Sequence, residues 1–248
     1  VGSAALATIL TLVSLAIALW QWHGASIERT EARYQASAAR TTLDVLDAVN
    51  EDVPPAGGSS TTKMQIDRGL AIVKAIRELD PSVRATALES FASRYSDIGE
   101  IVAGMKVREE ALAILAPHVD TDVRTRNLHD ELSCQQAWDR ATSNMSQAWD
   151  EIRGLIDKVR GRRDASADAR LSCLIAASAI SRTRTDVAAA RAFTEEALQV
   201  VDSARVGEVS QHYRFALLSV HSGALANEGA LGRATAMMQQ LRNDMRDR

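Results

Sequence analysis

Five histidines and two cysteines are the side chains with which this chain could do metal or nucleophilic chemistry. His23, His118, His129, His212 and His221 are scattered, and no pair has the His-x3-His spacing that lets two imidazoles share one metal ion. His129-Asp130-Glu131 is the densest polar trio. Consecutive helical residues point in different directions, so the trio reads as a solvated helix face and no metal site is expected. Gly57-Gly58 lacks the preceding strand and the glycine spacing of a phosphate loop. No motif places a serine, a histidine and an aspartate in a catalytic arrangement. The segment is therefore expected to be no enzyme, with no catalytic residue and no cofactor. Cys134 and Cys173 recur in LSCQQAW and LSCLIAA. Either they are small buried apolar residues, as free cysteine often is, or an oxidising compartment bonds them to each other.

The elements that would position these groups are helical. Of 248 residues only 4 % are aromatic and four are proline, a composition that suits helices meeting through small side chains. A net charge of −3, with arginines interleaved among acidic residues, gives no footprint for nucleic acid. VGSAALATILTLVSLAIALWQW, Val1 to Trp22, carries no charge. At ~1.5 Å per residue it can cross a hydrocarbon layer of ~30 Å, with Trp20 and Trp22 at one boundary. A signal peptide would show a basic start, a shorter apolar run and a small-x-small cleavage site; a buried core helix is the other alternative. A start inside a span suggests a fragment with an unseen part across the membrane. The flank HGASIERTEARYQASAAR is mixed in sign, which mildly favours an extracytoplasmic location for the rest of the chain.

The expected domains are a transmembrane helix over 1–22, a juxtamembrane helix over 23–50, a linker over 51–62 and a helical repeat domain over 63–248. Pro-Pro and Gly-Gly-Ser-Ser in EDVPPAGGSSTT stop the juxtamembrane helix. Ile66, Leu70, Val73 and Ile76 then give one apolar face, and Asp80-Pro81 ends one helix and starts another. Further breaks fall near Gly99, Ala116-Pro117, Ser143-Asn144, Gly161, Thr185, Gly207 and Gly229. Trp138 and Trp149 flank Ser143-Asn144 and read as hairpin core, with an exposed aromatic patch for a partner as the alternative.

Counting from Leu88, the chain places Phe91, Ala92, Tyr95, Gly104 and Ala111 at fixed offsets, with Arg108 where an aromatic residue would fit the pattern. Frames from Leu132, Leu174 and Leu218 come next, at steps of 44, 42 and 44 residues. Sixteen residues after each stands Ala148, Ala190 or Ala234, and twenty-three after stands Leu155, Ala197 or Leu241. The unit from Leu132 fits worst, with Gln135, Gln136 and Asp139 at positions expected to be apolar or small. This pattern resembles the tetratricopeptide repeat, although the step is longer than the usual one and overlaps the period of HEAT-type units. The fold class expected is all-α: one transmembrane helix followed by a tetratricopeptide-like stack of antiparallel helix hairpins, an α-solenoid. MRDR at the end carries no stop signal, which hints at an array that continues.

A span, a charged helix, a loop, MQIDRGLAIVKAIRELDPSVRATAL and then worn repeats form an order similar to the extracytoplasmic region of bacterial transmembrane serine/threonine protein kinases. Membrane-anchored winged-helix regulators share it. The resemblance implies a sensor or protein-docking region beside the inner membrane, with the repeats periplasmic, a protein or peptide as partner, and an oligomer as an option. A membrane-tethered scaffold for a periplasmic or secretion complex is the other reading. No kinase motif lies in the chain, so catalysis would belong to another segment. In tetratricopeptide arrays the first helices line a groove, which would here carry Glu89, Ser93, Asp97, Arg182 and Asn227. Plain solvated surface is the competing reading for these five.

Overall fold

The computed structural model describes residues 62–76, 79–204, 208–227 and 229–246. The expected span Val1–Trp22, the juxtamembrane helix and the linker up to residue 61 lie outside the described residues, as does the break at Gly207. Among the described residues no helix is long and apolar enough to cross a membrane, and all regular structure is helical.

Two compact units divide the chain, one ending at Val83 and the other running from Arg84. The first contains α1 (Thr62–Ala75), whose buried face carries Ile66, Gly69 and Val73. Asp80 then starts α2 (Pro81–Asp97): its carboxylate accepts from the backbone N–H groups of Ser82 and Val83 at 2.9 and 3.3 Å. Proline at the first helical position has no N–H to leave unpaired, so the Asp-Pro pair makes a sharp helix start.

The second unit is a row of helix hairpins. After α2 come α3 (Ile101–Leu115), a 3-10 turn (Ala116–His118), α4 (Val123–Arg140) and α5 (Met145–Arg160). The row continues with α6 (Ala167–Thr183), α7 (Val187–Ser203), α8 (Gln211–Asn227) and α9 (Leu231–Arg246). Four of these helices begin with a side chain that satisfies otherwise unpaired backbone donors. Asp122, Asn144, Ser166 and Asp186 accept from the N–H groups of Thr125, Gln147, Ala169 and Ala189 at 2.8, 3.2, 3.1 and 3.0 Å. Gly99 and Gly229 reverse the chain at φ +84° and +77°, in the left-handed region that other residues enter only at a cost.

Within the first hairpin Gly104 is the contact point. A Cβ built there would lie 2.7 Å from the backbone O of Ala92 and 3.0 Å from Ser96 Oγ. The matching small residues Ala148, Ala190 and Ala234 are all buried. Each hairpin packs on its neighbours: α4 lies against α5 and α6, and α6 against α7 and α8. One apolar cluster joins α4, α5 and α6 through Cys134, Ile152, Ile156, Val159 and Ile180. A second joins α6, α7 and α8 through Leu171, Leu174, Ala197, Tyr213 and Leu217. The stack of antiparallel hairpins with first helices side by side is an α-solenoid, as the sequence pattern predicts.

Two expectations are corrected. Trp138 is not hairpin core: it is 39 % exposed on α4. Trp149 is partly buried between α5 and α7, edge-on to Phe193 at a centroid distance of 6.2 Å and with the Arg184 guanidinium 4.5 Å from its ring centre. The trio His129-Asp130-Glu131 is not a solvated face either, because Asp130 is fully buried. A one-residue step along a helix turns the side chain by ~100°, so three adjacent polar residues meet three different surroundings.

A polar seam along the first helices

The residues that make the Leu132 unit look worn form its interior polar contacts. Arg108, on the inward face of α3, is 3 % exposed. Its Nε and Nη2 donate to the two carboxylate oxygens of Glu89 on α2 at 2.7 and 2.8 Å, and its Nη1 donates to Asp139 on α4. Burial alone would lower the arginine's pKa, but the hydrogen bond and charge of Glu89, followed by those of Asp139, hold it above its ordinary value. One guanidinium thus ties three helices together in place of an aromatic ring. Next to it, Gln136 is buried and its Nε2 donates to Glu109 on α3 at 3.1 Å.

Farther back along α4, Asp130 receives Lys158 Nζ at 2.7 Å and Arg162 Nη1 at 2.6 Å. Burial works against its charge, and the neighbouring His129, the hydrogen bond and charge of Lys158 and the charge of Arg162 outweigh it, holding the carboxyl below its ordinary range. Arg162 also donates to Asn127, so the α5–α6 connection is pinned to α4.

Glu131 is the exception in this seam. Its carboxylate accepts from Tyr213 Oη at 2.7 Å, and Gln135 Nε2 donates to the same hydroxyl oxygen at 3.0 Å. Tyr213 belongs to α8, so its ring reaches past α6 to α4, over a sequence separation of 82 residues. Ser172 on α6 donates to the Glu131 backbone O at 3.0 Å. The charged groups acting on the carboxylate are Asp168 on α6 and Glu89 on α2, both acidic. Burial pushes the Glu131 carboxyl up to about 7, those two charges add to the rise, and the Tyr213 hydrogen bond opposes it. Tyr213 itself is raised well above 10, by burial first and then by the Glu131 charge.

Cys134 on α4 and Cys173 on α6 are bonded to each other, with Cα atoms 4.9 Å apart. They join the first helices of adjacent hairpins in the interior, where each residue is at most 1 % exposed.

The five residues expected in a groove do not converge on one site. Glu89 is held by Arg108 and accepts from Ser93 Oγ at 2.8 Å, which makes it a partner inside the fold instead of a free surface carboxylate. Ser93 and Asp97 are exposed farther along α2. Arg182, near the end of α6, is partly buried and its pKa is lowered by burial. A Cβ on Gly223 of α8 would meet Arg182 Nη1 at 3.0 Å, so that glycine makes room for the guanidinium. The side chain of Asn227 lies outside the described residues. Among the described residues no group of three or more His, Cys, Asp or Glu side chains could hold a metal ion. Sequence reasoning misses the Glu131–Tyr213 contact; Gln135, polar at a frame position expected to be apolar or small, is the available signal.

No family profile and no curated protein matches the chain. Two solved structures of the nearly identical TPR-like repeats of a kinesin light chain-like protein from Podosopora anserina are similar to it. One is 15 % identical, with 87 % of this chain and 94 % of that chain covered and a TM-score of 0.41. The other, a point variant of the same repeats, is 15 % identical, with 87 % and 93 % covered and a TM-score of 0.43.

Proposed function

We propose that the hairpin array is a protein-docking module. The observation that carries this is the side-by-side row of first helices α4, α6 and α8, cross-linked by one disulfide and by Tyr213. Such a row presents a broad, preorganised surface assembled from several helices, which is how stacked hairpins commonly bind another protein. Trp138 contributes an exposed aromatic side chain to it. The chain supplies docking and no catalysis in this reading.

The finer reading is an extracytoplasmic sensor or docking region of a single-pass bacterial signalling protein of the serine/threonine kinase type. Two things support the compartment: the bonded Cys134–Cys173 pair, since such bonds persist where the surroundings are oxidising, and the uncharged run Val1–Trp22. On this reading the repeats are periplasmic and tethered to the inner membrane, and a bound protein alters how the membrane helices are arranged.

A photo-reactive residue placed at Asp97 or Trp138 in the membrane-embedded full-length protein tests the docking surface. The expected result is a protein adduct formed from these first-helix sites and not from Arg153 on α5. Equal labelling from all three positions overturns the reading. For the compartment, Ser60→Cys should react with an impermeant thiol reagent added outside the inner membrane; reaction from the cytoplasm alone overturns it.

A further inference from the structure

The second unit contains a small cavity between α5, α6 and α7, with a volume of about 130 Å³. Its walls are Ile156 and Val159 from α5, Leu174 from α6 and Val200 from α7, with Cys173 of the disulfide beside them. The disulfide fixes α6 against α4, so this wall is held by a covalent bond as well as by packing.

The polar lining is unbalanced. Arg160 and Glu196 both line the cavity, and they satisfy each other: Arg160 Nε donates to Glu196 Oε1 at 2.8 Å and Nη2 donates to Oε2. That pair is partly exposed. Arg170 also lines it. Its Nη2 donates to the Arg162 backbone O at 3.2 Å, while its Nε is buried and has no partner. Leaving a buried N–H of a charged group unmade is costly, and an apolar hole of this size gains nothing from holding water along its aliphatic sides. The lining therefore offers four aliphatic side chains and one guanidinium in excess of the available carboxylate.

We propose that this cavity binds a small organic monoanion, a carboxylate on a short apolar body. Its carboxylate would accept from the Arg170 guanidinium while the hydrocarbon part lies among Ile156, Val159, Leu174 and Val200. The volume is close to that of a cavity able to admit benzene, roughly 150 Å³, which limits the body to about four to six carbons. A phosphate monoester fits poorly, because its second charge would face aliphatic walls without a donor. The site lies between α6 and the second helices α5 and α7 and does not depend on the docking reading.

Three probes of one shape test it on the oxidised protein: sodium pentanoate, 1-pentanol and pentylammonium. Methyl NMR of Leu174 and Val200 follows binding. Pentanoate should shift these methyls saturably and bind about tenfold or more tighter than 1-pentanol, the difference expected of a charge-assisted hydrogen bond over a neutral one. Pentylammonium should bind weakest. Arg170→Gln should remove the preference for pentanoate and leave 1-pentanol affinity unchanged, and Val200→Phe should abolish binding of both with the circular dichroism of a folded protein. The comparison of probes on the wild-type protein stands even where a variant fails to fold. Equal affinity for pentanoate and 1-pentanol, or no saturable shift with pentanoate, overturns the proposal.

Discussion

Replacing Glu131 by glutamine should make the fold more stable above neutral pH and flatten its pH profile. The carboxyl lies under Tyr213, with Asp168 and Glu89 as the charges acting on it and no cation paired to it among the described residues. The cations of the seam are engaged elsewhere: Arg108 with Glu89 and Asp139, and Lys158 and Arg162 with Asp130. Burial raises the folded-state pKa from the ordinary 4.5 to about 7, so the folded chain binds this proton more tightly than the unfolded chain does. Below pH 4.5 both states are protonated and stability is at its full value. Between 4.5 and about 7 the unfolded chain has released the proton and the folded chain has not, so stability falls as pH rises; above about 7 the loss is complete. At 1.36 kcal/mol per pH unit the ceiling is about 3 kcal/mol, and solvent reaching a partly exposed carboxylate brings the expected loss to about 1–2 kcal/mol. Glu131→Gln keeps an acceptor for Tyr213 Oη and removes the titration. Urea denaturation followed by circular dichroism from pH 5 to 8.5, on oxidised protein, measures both profiles. The variant should gain about 1–2 kcal/mol on wild type between pH 5 and pH 8. Parallel profiles would refute the assignment of an uncompensated carboxyl to this position.

Three other perturbations probe the remaining contacts. Gly104→Ala sets a Cβ 2.7 Å from the Ala92 backbone O, and the hairpin must open by several tenths of an ångström; a loss of about 1–3 kcal/mol in urea unfolding is expected, and an unchanged midpoint would remove Gly104 as the contact point. Arg108→Met leaves Glu89 and Asp139 buried without a cation, which should cost about 3–5 kcal/mol, and Arg108→Met with Asp139→Leu and Glu89→Gln together should recover part of it; no recovery in the triple variant would show that packing and not charge sets the cost. Reducing Cys134–Cys173, which closes a loop over a separation of 39 residues, should lower stability by about 2–4 kcal/mol with secondary structure retained, and an unfolding midpoint indifferent to reductant would count against the bond.

The helix boundaries were legible because their signals are local. Pro81 at a helix start, Gly99 and Gly229 at φ +84° and +77°, and the Asn144 cap all act within four residues of where they stand. Gly104, Ala148, Ala190 and Ala234 were legible for a related reason: a hairpin repeats one close approach, and that approach permits only small side chains. The polar seam was not. Arg108, Gln136 and Asp139 read as a failed motif, and Asp130 and Glu131 as wet surface, because a charged residue's burial depends on what the neighbouring hairpin brings to it. Asp130 meets Lys158 from the end of α5 and Arg162 from the connection that follows it, while Glu131, the next residue, meets a tyrosine 82 positions away and two further carboxylates. Sequence by itself determined where the chain turns and which positions must be small. Only the stacking of α4, α6 and α8 decided which carboxylates are neutralised and which one is left to titrate near neutral pH, since electrostatic pairing is set by distance in space and not by distance along the chain.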